Sequence, residues 1–187
     1  MKHIILAITG LPGSGKTEAT KFIESLGFNR VRFGDVTDIA LRERELARTE
    51  KNERIIREEL RKTHGMAAYA LLSLPRIQKA QQHCSVVLDG LYSWEEYKLL
   101  RNKFPGMTLI AIHAPPQTRY ARMAHRNERP LTEKEVRSRE YSEIENLNKG
   151  GTIAMADVII ENNDSLRQLK IKIKKFINTL LQKDSPA

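Results

Sequence analysis

Eight residues near the amino terminus, Gly10-Leu11-Pro12-Gly13-Ser14-Gly15-Lys16-Thr17, set the terms on which this chain can fold. They read G-x-x-x-x-G-K-T, a pattern whose glycines let backbone N–H groups converge on a polyphosphate at the start of a helix. Such a loop functions only between a strand and a helix, and both flanks are present. Ile4-Ile5-Leu6-Ala7-Ile8 is a nearly continuous apolar run, as expected of a strand covered on both faces. Downstream, Ala19, Phe22, Ile23 and Leu26 recur at helical spacing, and Gly27 ends the pattern. Gly10 to Thr17 is therefore expected to cradle a nucleotide's phosphates. Lys16 would reach the β- and γ-phosphates, and the Thr17 hydroxyl would ligate Mg²⁺.

Length and composition narrow the class. The chain has 187 residues, 40% of them hydrophobic, which suits one compact domain. Cys84 is the single cysteine, so an intrachain disulfide is impossible and a cytoplasmic location is expected. Packing rather than reactivity is the expectation for Cys84. The first apolar run is too brief for a signal peptide, and no stretch is long enough to span a membrane. The net charge of +9 suits anionic partners in general: nucleic acid, an anionic surface or a phosphorylated metabolite. Few aromatic residues interleave with the basic ones, so readout by base stacking is unsupported and nucleic acid is disfavoured as the partner.

Four further strands follow in the sequence. Phe28–Phe33 alternates apolar and polar residues and stops at Gly34-Asp35. Val36 to about Arg48, Glu53 to Lys62 and Met66 to about Gln82 read as helices, the last kinked or interrupted at Pro75. Ser85–Leu88 is the third strand and closes on Asp89-Gly90; an acid at that strand end resembles a Walker B element, where the Asp89 carboxylate would hold Mg²⁺. Ser93 N-caps a helix to Lys103, with Glu96 completing a capping box. Thr108–Ile112 is the fourth strand and leads to His113, which is given a structural part only. Arg119, Arg122, Arg126 and Arg129 are spaced 3, 4 and 3, which places four guanidinium groups along one face as phosphate ligands. Thr132-Glu133-Lys134-Glu135 opens another helix with a capping box, Gly150-Gly151 marks a loop, and Asp157–Ile160 is the fifth strand. The face Leu166, Leu169, Ile173, Phe176, Ile177 and Leu180 makes a last helix. Five strands alternating with helices predict a three-layer α/β fold with a mainly parallel sheet, its ligand edge formed by the ends at Gly10, Asp35, Asp89 and His113.

The stretches GLPGSGKT, FGDV, VVLDG, the arginine helix with ERPLTEKEV, and ADVIIENNDSLRQL together resemble the P-loop nucleoside-phosphate kinases over roughly residues 3–180. The similarity extends to dephospho-coenzyme A kinase and to mainly archaeal, adenylate-kinase-related P-loop proteins. The resemblance implies the P-loop NTPase sheet order 2-3-1-4-5 in a single domain over 1–187, with a helical acceptor-side insertion at about 36–82 and a lid at about 119–145. It implies ATP and Mg²⁺ as cofactors and a small phosphorylated or nucleotide-like acceptor. Lys16, Asp35, Arg126 and Arg129 would be the catalytic residues. Asp35 matches an aspartate that dephospho-coenzyme A kinases place near the acceptor hydroxyl. Arg122 and the Gly10–Thr17 loop would bind the nucleotide, with Asn162 and Asn163 leading into the loop near the adenine. One departure stands out. Kinases resembling adenylate kinase often carry an arginine shortly after the Asp-Gly pair, where this chain has Leu91-Tyr92.

The resulting expectation is ATP-dependent phosphoryl transfer to a nucleoside monophosphate or dephospho-coenzyme A type of acceptor. The alternative is an ATPase switch that couples hydrolysis to a protein partner. A GTPase is disfavoured, because Asn148-Lys149-Gly150-Gly151 lacks the aspartate of the guanine-reading N-K-x-D motif.

Overall fold

The computed structural model describes residues 3–127 and 130–183. Its elements are β1 (Ile5–Thr9), α1 (Lys16–Ser25), β2 (Asn29–Arg32), α2 (Asp35–Glu43), α3 (Glu50–His64), α4 (Ala68–Gln81), β3 (Val86–Asp89), α5 (Trp94–Lys103), β4 (Thr108–His113), α6 (Pro116–Ala124), α7 (Glu133–Leu147), α8 (Lys149–Ala154), β5 (Val158–Glu161) and α9 (Leu166–Lys183). The five strands form one parallel sheet in the order β2-β3-β1-β4-β5, as the resemblance implied. β1 lies at its centre, with Ile8 opposite Asp89 of β3 on one side and Ile110 of β4 on the other. The crevice at the carboxyl end of β1 is where an open α/β sheet binds ligands.

Strand periodicity divides the core in two. Ile5 and Ala7 face a cluster with Val31, Val86 and Leu88, closed by Ala68 and Ile77 of α4 and Leu100 of α5. Leu6 and Ile8 face the opposite side, where Ala19 and Ile23 of α1 and Leu169, Ile173 and Ile177 of α9 complete the layer. Each of these side chains is at most 3% exposed, and each large one stabilises the fold by about 1.5–3 kcal/mol. This two-sided burial is why the strands read as apolar runs rather than as alternating sequences.

Four local readings need correction. The helix expected from Val36 to Arg48 stops at Glu43, because Leu46 N–H reaches the Leu41 carbonyl at 2.9 Å and Glu45 N–H the Arg42 carbonyl at 3.1 Å. That is a Schellman closure carried by Glu45 at φ 55°, with no glycine to announce it. The next helix starts three residues early, where Thr49 Oγ1 accepts from Asn52 N–H at 3.2 Å. Pro75 does not interrupt α4, which runs through it; Ser73 and Ile77 on either side are fully buried, so packing offsets the lost helical bond. Gly150 and Gly151 lie within α8 rather than in a loop. A Cβ on Gly151 would stand 3.2 Å from the Trp94 ring, so the glycine is there to let α8 approach α5. Both capping boxes form as read, at Ser93–Glu96 and Thr132–Glu135.

Cys84 is half-buried, with its thiol on the Ala80 carbonyl. The His113 ring is exposed, and only its backbone is structural, the carbonyl accepting from Asn162 N–H at 2.7 Å. No helix among the described residues is long and apolar enough to cross a membrane.

Candidate functional site

The loop between β1 and α1 is built largely from backbone. Gly13 has φ 76°, and a Cβ there would stand 2.5 Å from the Arg119 carbonyl oxygen, a group that cannot swing away. Gly10, at φ 138°, would drive a Cβ into the Ile112 carbonyl. Ser14 N–H bonds to the Leu11 carbonyl at 3.2 Å, and the Ser14 carbonyl accepts from Asn162 Nδ2 at 2.8 Å. The first turn of α1 begins at Lys16 and so presents N–H groups that have no intrahelical acceptor, backed by the positive end of the helix dipole. Ser14 Oγ is buried with no hydrogen-bond partner among the described residues. A polyphosphate fits this cradle: it accepts from free N–H groups and from an orphaned hydroxyl.

Lys16 Nζ donates to the Leu11 carbonyl at 2.9 Å. Burial, and after it the positive charge of Lys149, hold its pKa well below the ordinary lysine value; Glu143 opposes this and Arg139 reinforces it. Thr17 is exposed at the mouth of the loop. Asp89 ends β3 within electrostatic reach of Lys16. Its Oδ2 is taken by Arg30 of β2, whose Nε lies at 3.0 Å and whose Nη2 also donates to it.

Asp35 opens α2, and both of its oxygens are engaged. Arg32 Nε approaches Oδ1 at 2.9 Å, and Arg76 Nη2 of α4 donates to Oδ2 at 2.7 Å. Arg32 also pairs with Asp38.

Arg119, Arg122 and Arg126 do not form one row. α6 ends at Ala124, so Arg126 lies beyond it, with Nη1 against the Met123 sulfur at 3.7 Å. Arg129 lies outside the described residues. Arg119 is buried; its Nε donates to the Ala114 carbonyl at 2.9 Å and its guanidinium pairs with Glu140 of α7, so its charge docks one helix on another. Arg122 Nη2 donates to the Asn162 carbonyl at 2.9 Å, and its Nη1 is buried without a hydrogen-bond partner among the described residues. Asn162 itself is 6% exposed and braces the P-loop backbone.

Sequence reasoning missed a second group of charges at the same edge. Lys149 is fully buried, its Nζ donating to Glu143 Oε2 at 2.5 Å and lying 4.1 Å from the centre of the Tyr92 ring. Arg139 Nε donates to Glu143 Oε1 at 3.1 Å. Burial alone would raise the Glu143 pKa, but Lys149, Lys16 and Arg139 hold it below the usual carboxylate value. Tyr92 is pushed up to about 12 by burial, and Glu96 to about 7 by burial against two backbone N–H bonds from Tyr92 and Ser93. The one signal available was Asn148-Lys149-Gly150-Gly151, which drew notice only as an incomplete guanine motif. Among the described residues no group of three or more His, Cys, Asp or Glu side chains could by itself hold a metal.

A sequence profile of the AAA domain matches residues 6–148. The chain is 31% identical over 185 residues to the UPF0200 protein TK1334 of Thermococcus kodakarensis, covering 96% of this chain and all of that one. It is 33% identical over 181 residues to a UPF0200 protein of Sulfurisphaera tokodaii, covering 95% and 97%. Similar solved structures include TT1252 from Thermus thermophilus, with TM-score 0.63 and 19% identity over the whole of both chains. A shikimate kinase from Acinetobacter baumannii in complex with shikimate has TM-score 0.59 and 13% identity, covering 98% of this chain and 96% of that one. A gluconokinase from Sinorhizobium meliloti has TM-score 0.54 and 17% identity, covering 98% of each. At such identities the likeness is one of fold.

Proposed function

The chain belongs to the UPF0200 family of AAA-domain P-loop proteins, and from that premise we propose that it transfers the γ-phosphoryl group of ATP to a small, nucleotide-like acceptor. The observation that carries this reading is the setting of Lys16. It starts a helix behind a phosphate-shaped backbone loop, at a sheet edge that also bears Asp35 and Asp89 and the cations of α6 to α8. Phosphoryl transfer asks little of a protein beyond positioning and charge stabilisation. The N–H groups of the Gly10–Thr17 loop would hold the α- and β-phosphates. Lys16 would leave the Leu11 carbonyl for a phosphate oxygen, and Arg122, Arg126 and Arg129 would close on the donor as parts of a lid over about 119–145. Helices α2 to α4 would hold the acceptor. Thr17 would ligate Mg²⁺, with Asp89 acting through its oxygen not held by Arg30; the ion would neutralise charge on the β- and γ-phosphates. Asp35 would orient an acceptor hydroxyl through the Arg32–Arg76 frame.

The test is incubation with ATP and Mg²⁺ alongside nucleoside monophosphates, dephospho-coenzyme A and small hydroxy acids, following ADP release and acceptor phosphorylation by phosphorus NMR. Acceptor-dependent ADP release is the expected result. Failure of every acceptor would overturn the reading. The engagement of both Asp35 oxygens by arginines supports one competitor, an ATPase switch. ATP turnover that no acceptor stimulates and a protein partner does would establish that competitor instead.

A further inference from the structure

Glu143 sits among three positive charges. Lys149 and Arg139 each occupy one of its oxygens, and Lys16 adds a third positive charge to its surroundings. Asp89 offers little relief, since Arg30 already engages it. Glu96, the other acid acting on Lys149, sits behind Tyr92 and Ser93 and accepts their N–H groups. Of these cations Lys149 is the fully buried one; Lys16 is partly buried, and Arg139 is exposed and also feels the charge of Glu50. Burying an ammonium group is unfavourable unless it is paired and hydrogen-bonded, and here one carboxylate and one aromatic face are its named partners.

The backbone shows why Lys149 points inward. α7 ends at Asn148, which takes the left-handed conformation at φ 49°, and α8 starts again at the next residue. Asparagine tolerates that conformation better than most residues. The turn carries the Lys149 side chain under α7 and onto Tyr92, while Gly151 lets α8 settle against Trp94. Tyr92 follows shortly after Asp89, the last residue of β3, so the contact with its ring brings the Lys149 ammonium from α8 to the carboxyl end of that strand.

We propose that Lys149 is a phosphate-binding residue of the site, held by Glu143 as an internal substitute for the phosphoryl oxygen it grips when ligand enters. The proposal rests on the reading of the P-loop edge as a polyphosphate site. The oxygen belongs either to the γ-phosphate of the donor or to a phosphate on the acceptor, and the two give different patterns of binding.

Calorimetric titration of the full chain with AMP-PNP, ADP and, in the ADP-loaded protein, inorganic phosphate tests it. If the γ-phosphate is the ligand, Lys149→Met weakens AMP-PNP by about thirtyfold and leaves ADP within about twofold, as loss of one charge-assisted hydrogen bond predicts. If the acceptor phosphate is the ligand, both nucleotides bind as before and inorganic phosphate binding is lost. Glu143→Gln separates either case from a structural strut. Freed of its competing carboxylate, Lys149 should tighten the affected probe by about threefold, whereas weakening in step with Lys149→Met would overturn the proposal. Should Lys149→Met fail to fold, Lys149→Met/Glu143→Gln removes both charges together and should show the same loss of binding. Failure of both to fold, or wild-type affinity for all three probes in a folded variant, marks the pair as structural. A wild-type protein that binds none of the probes overturns the phosphate-site reading itself, and this inference with it.

Discussion

Two corners meet at the carboxyl edge of the sheet and are made of opposite materials. The Gly10–Thr17 corner is local in sequence and built from backbone, with positive-φ glycines packed against the carbonyls of Ile112 and Arg119. The α7–α8 corner is assembled from residues as far apart as Tyr92 and Lys149 and is held by side-chain charge. A backbone cradle has one shape, and a steric error in it has no remedy. A charge cluster can exchange partners, because ligand oxygens can replace a carboxylate with little change in shape. In the proposed function, the rigid corner would fix the phosphates and the exchangeable one would respond to them.

The largest effect should come from a single methyl group in the rigid corner. Gly13→Ala places Cβ 2.5 Å from the Arg119 carbonyl oxygen in a conformation at φ 76° that alanine avoids. A loss of about 3 kcal/mol or more is expected, from strain and overpacking combined. AMP-PNP binding should vanish even where the fold survives. Urea denaturation and calorimetry check this together, and wild-type behaviour in both would mean that the cradle is pliable and the contrast misplaced.

The next effect belongs to the charged corner and depends on pH. Burial raises the Glu96 carboxyl from 4.5 to about 7. The folded protein therefore holds this proton more tightly than the unfolded chain does. The stability it contributes is fully present below about pH 4.5 and is lost as pH rises through about 7, a change of about 3 kcal/mol. Glu96→Gln keeps an oxygen to accept from Tyr92 and Ser93 N–H but cannot ionise. The difference in stability between variant and wild type should grow across pH 4.5–7 in favour of the variant. Parallel pH profiles would show that Glu96 titrates as an ordinary surface acid and that the corner is wetter than its burial implies.

The same contrast explains what was legible in the sequence. The P-loop, the five strands and both capping boxes depend on neighbours within a few residues, and local spacing reveals them. The Schellman end of α2 also has a local cause, but it uses Glu45 where the pattern relies on glycine. Arg119 was misplaced because its partner, Glu140, lies on another helix, and spacing along α6 cannot show which side of an arginine is occupied. Lys149 was passed over for a similar reason. Its significance depends on Glu143 one helix back, on Tyr92, which precedes β4 in the chain, and on the charge of Lys16. The motif that singles out Asp35 says nothing of Arg32 and Arg76, which engage both of its oxygens from β2 and α4.

Asn162 joins the two descriptions, because it is a side chain that holds the backbone corner. Its Nδ2 donates to the Ser14 carbonyl at 2.8 Å across 148 residues of chain, and its own carbonyl accepts from Arg122. Asn162→Ala removes the first bond and leaves the second, which belongs to the main chain. The Ser14 carbonyl can turn toward solvent admitted by the truncation, so a loss of about 1–2 kcal/mol is expected, with AMP-PNP binding weakened only a few-fold. Thermal denaturation and the same titration measure both. If the rigid corner owes its shape to its glycines, this variant must fall well short of Gly13→Ala. Equal losses would mean that a single amide from the end of β5 sets the loop, and that the backbone corner is as dependent on a distant side chain as the charged one.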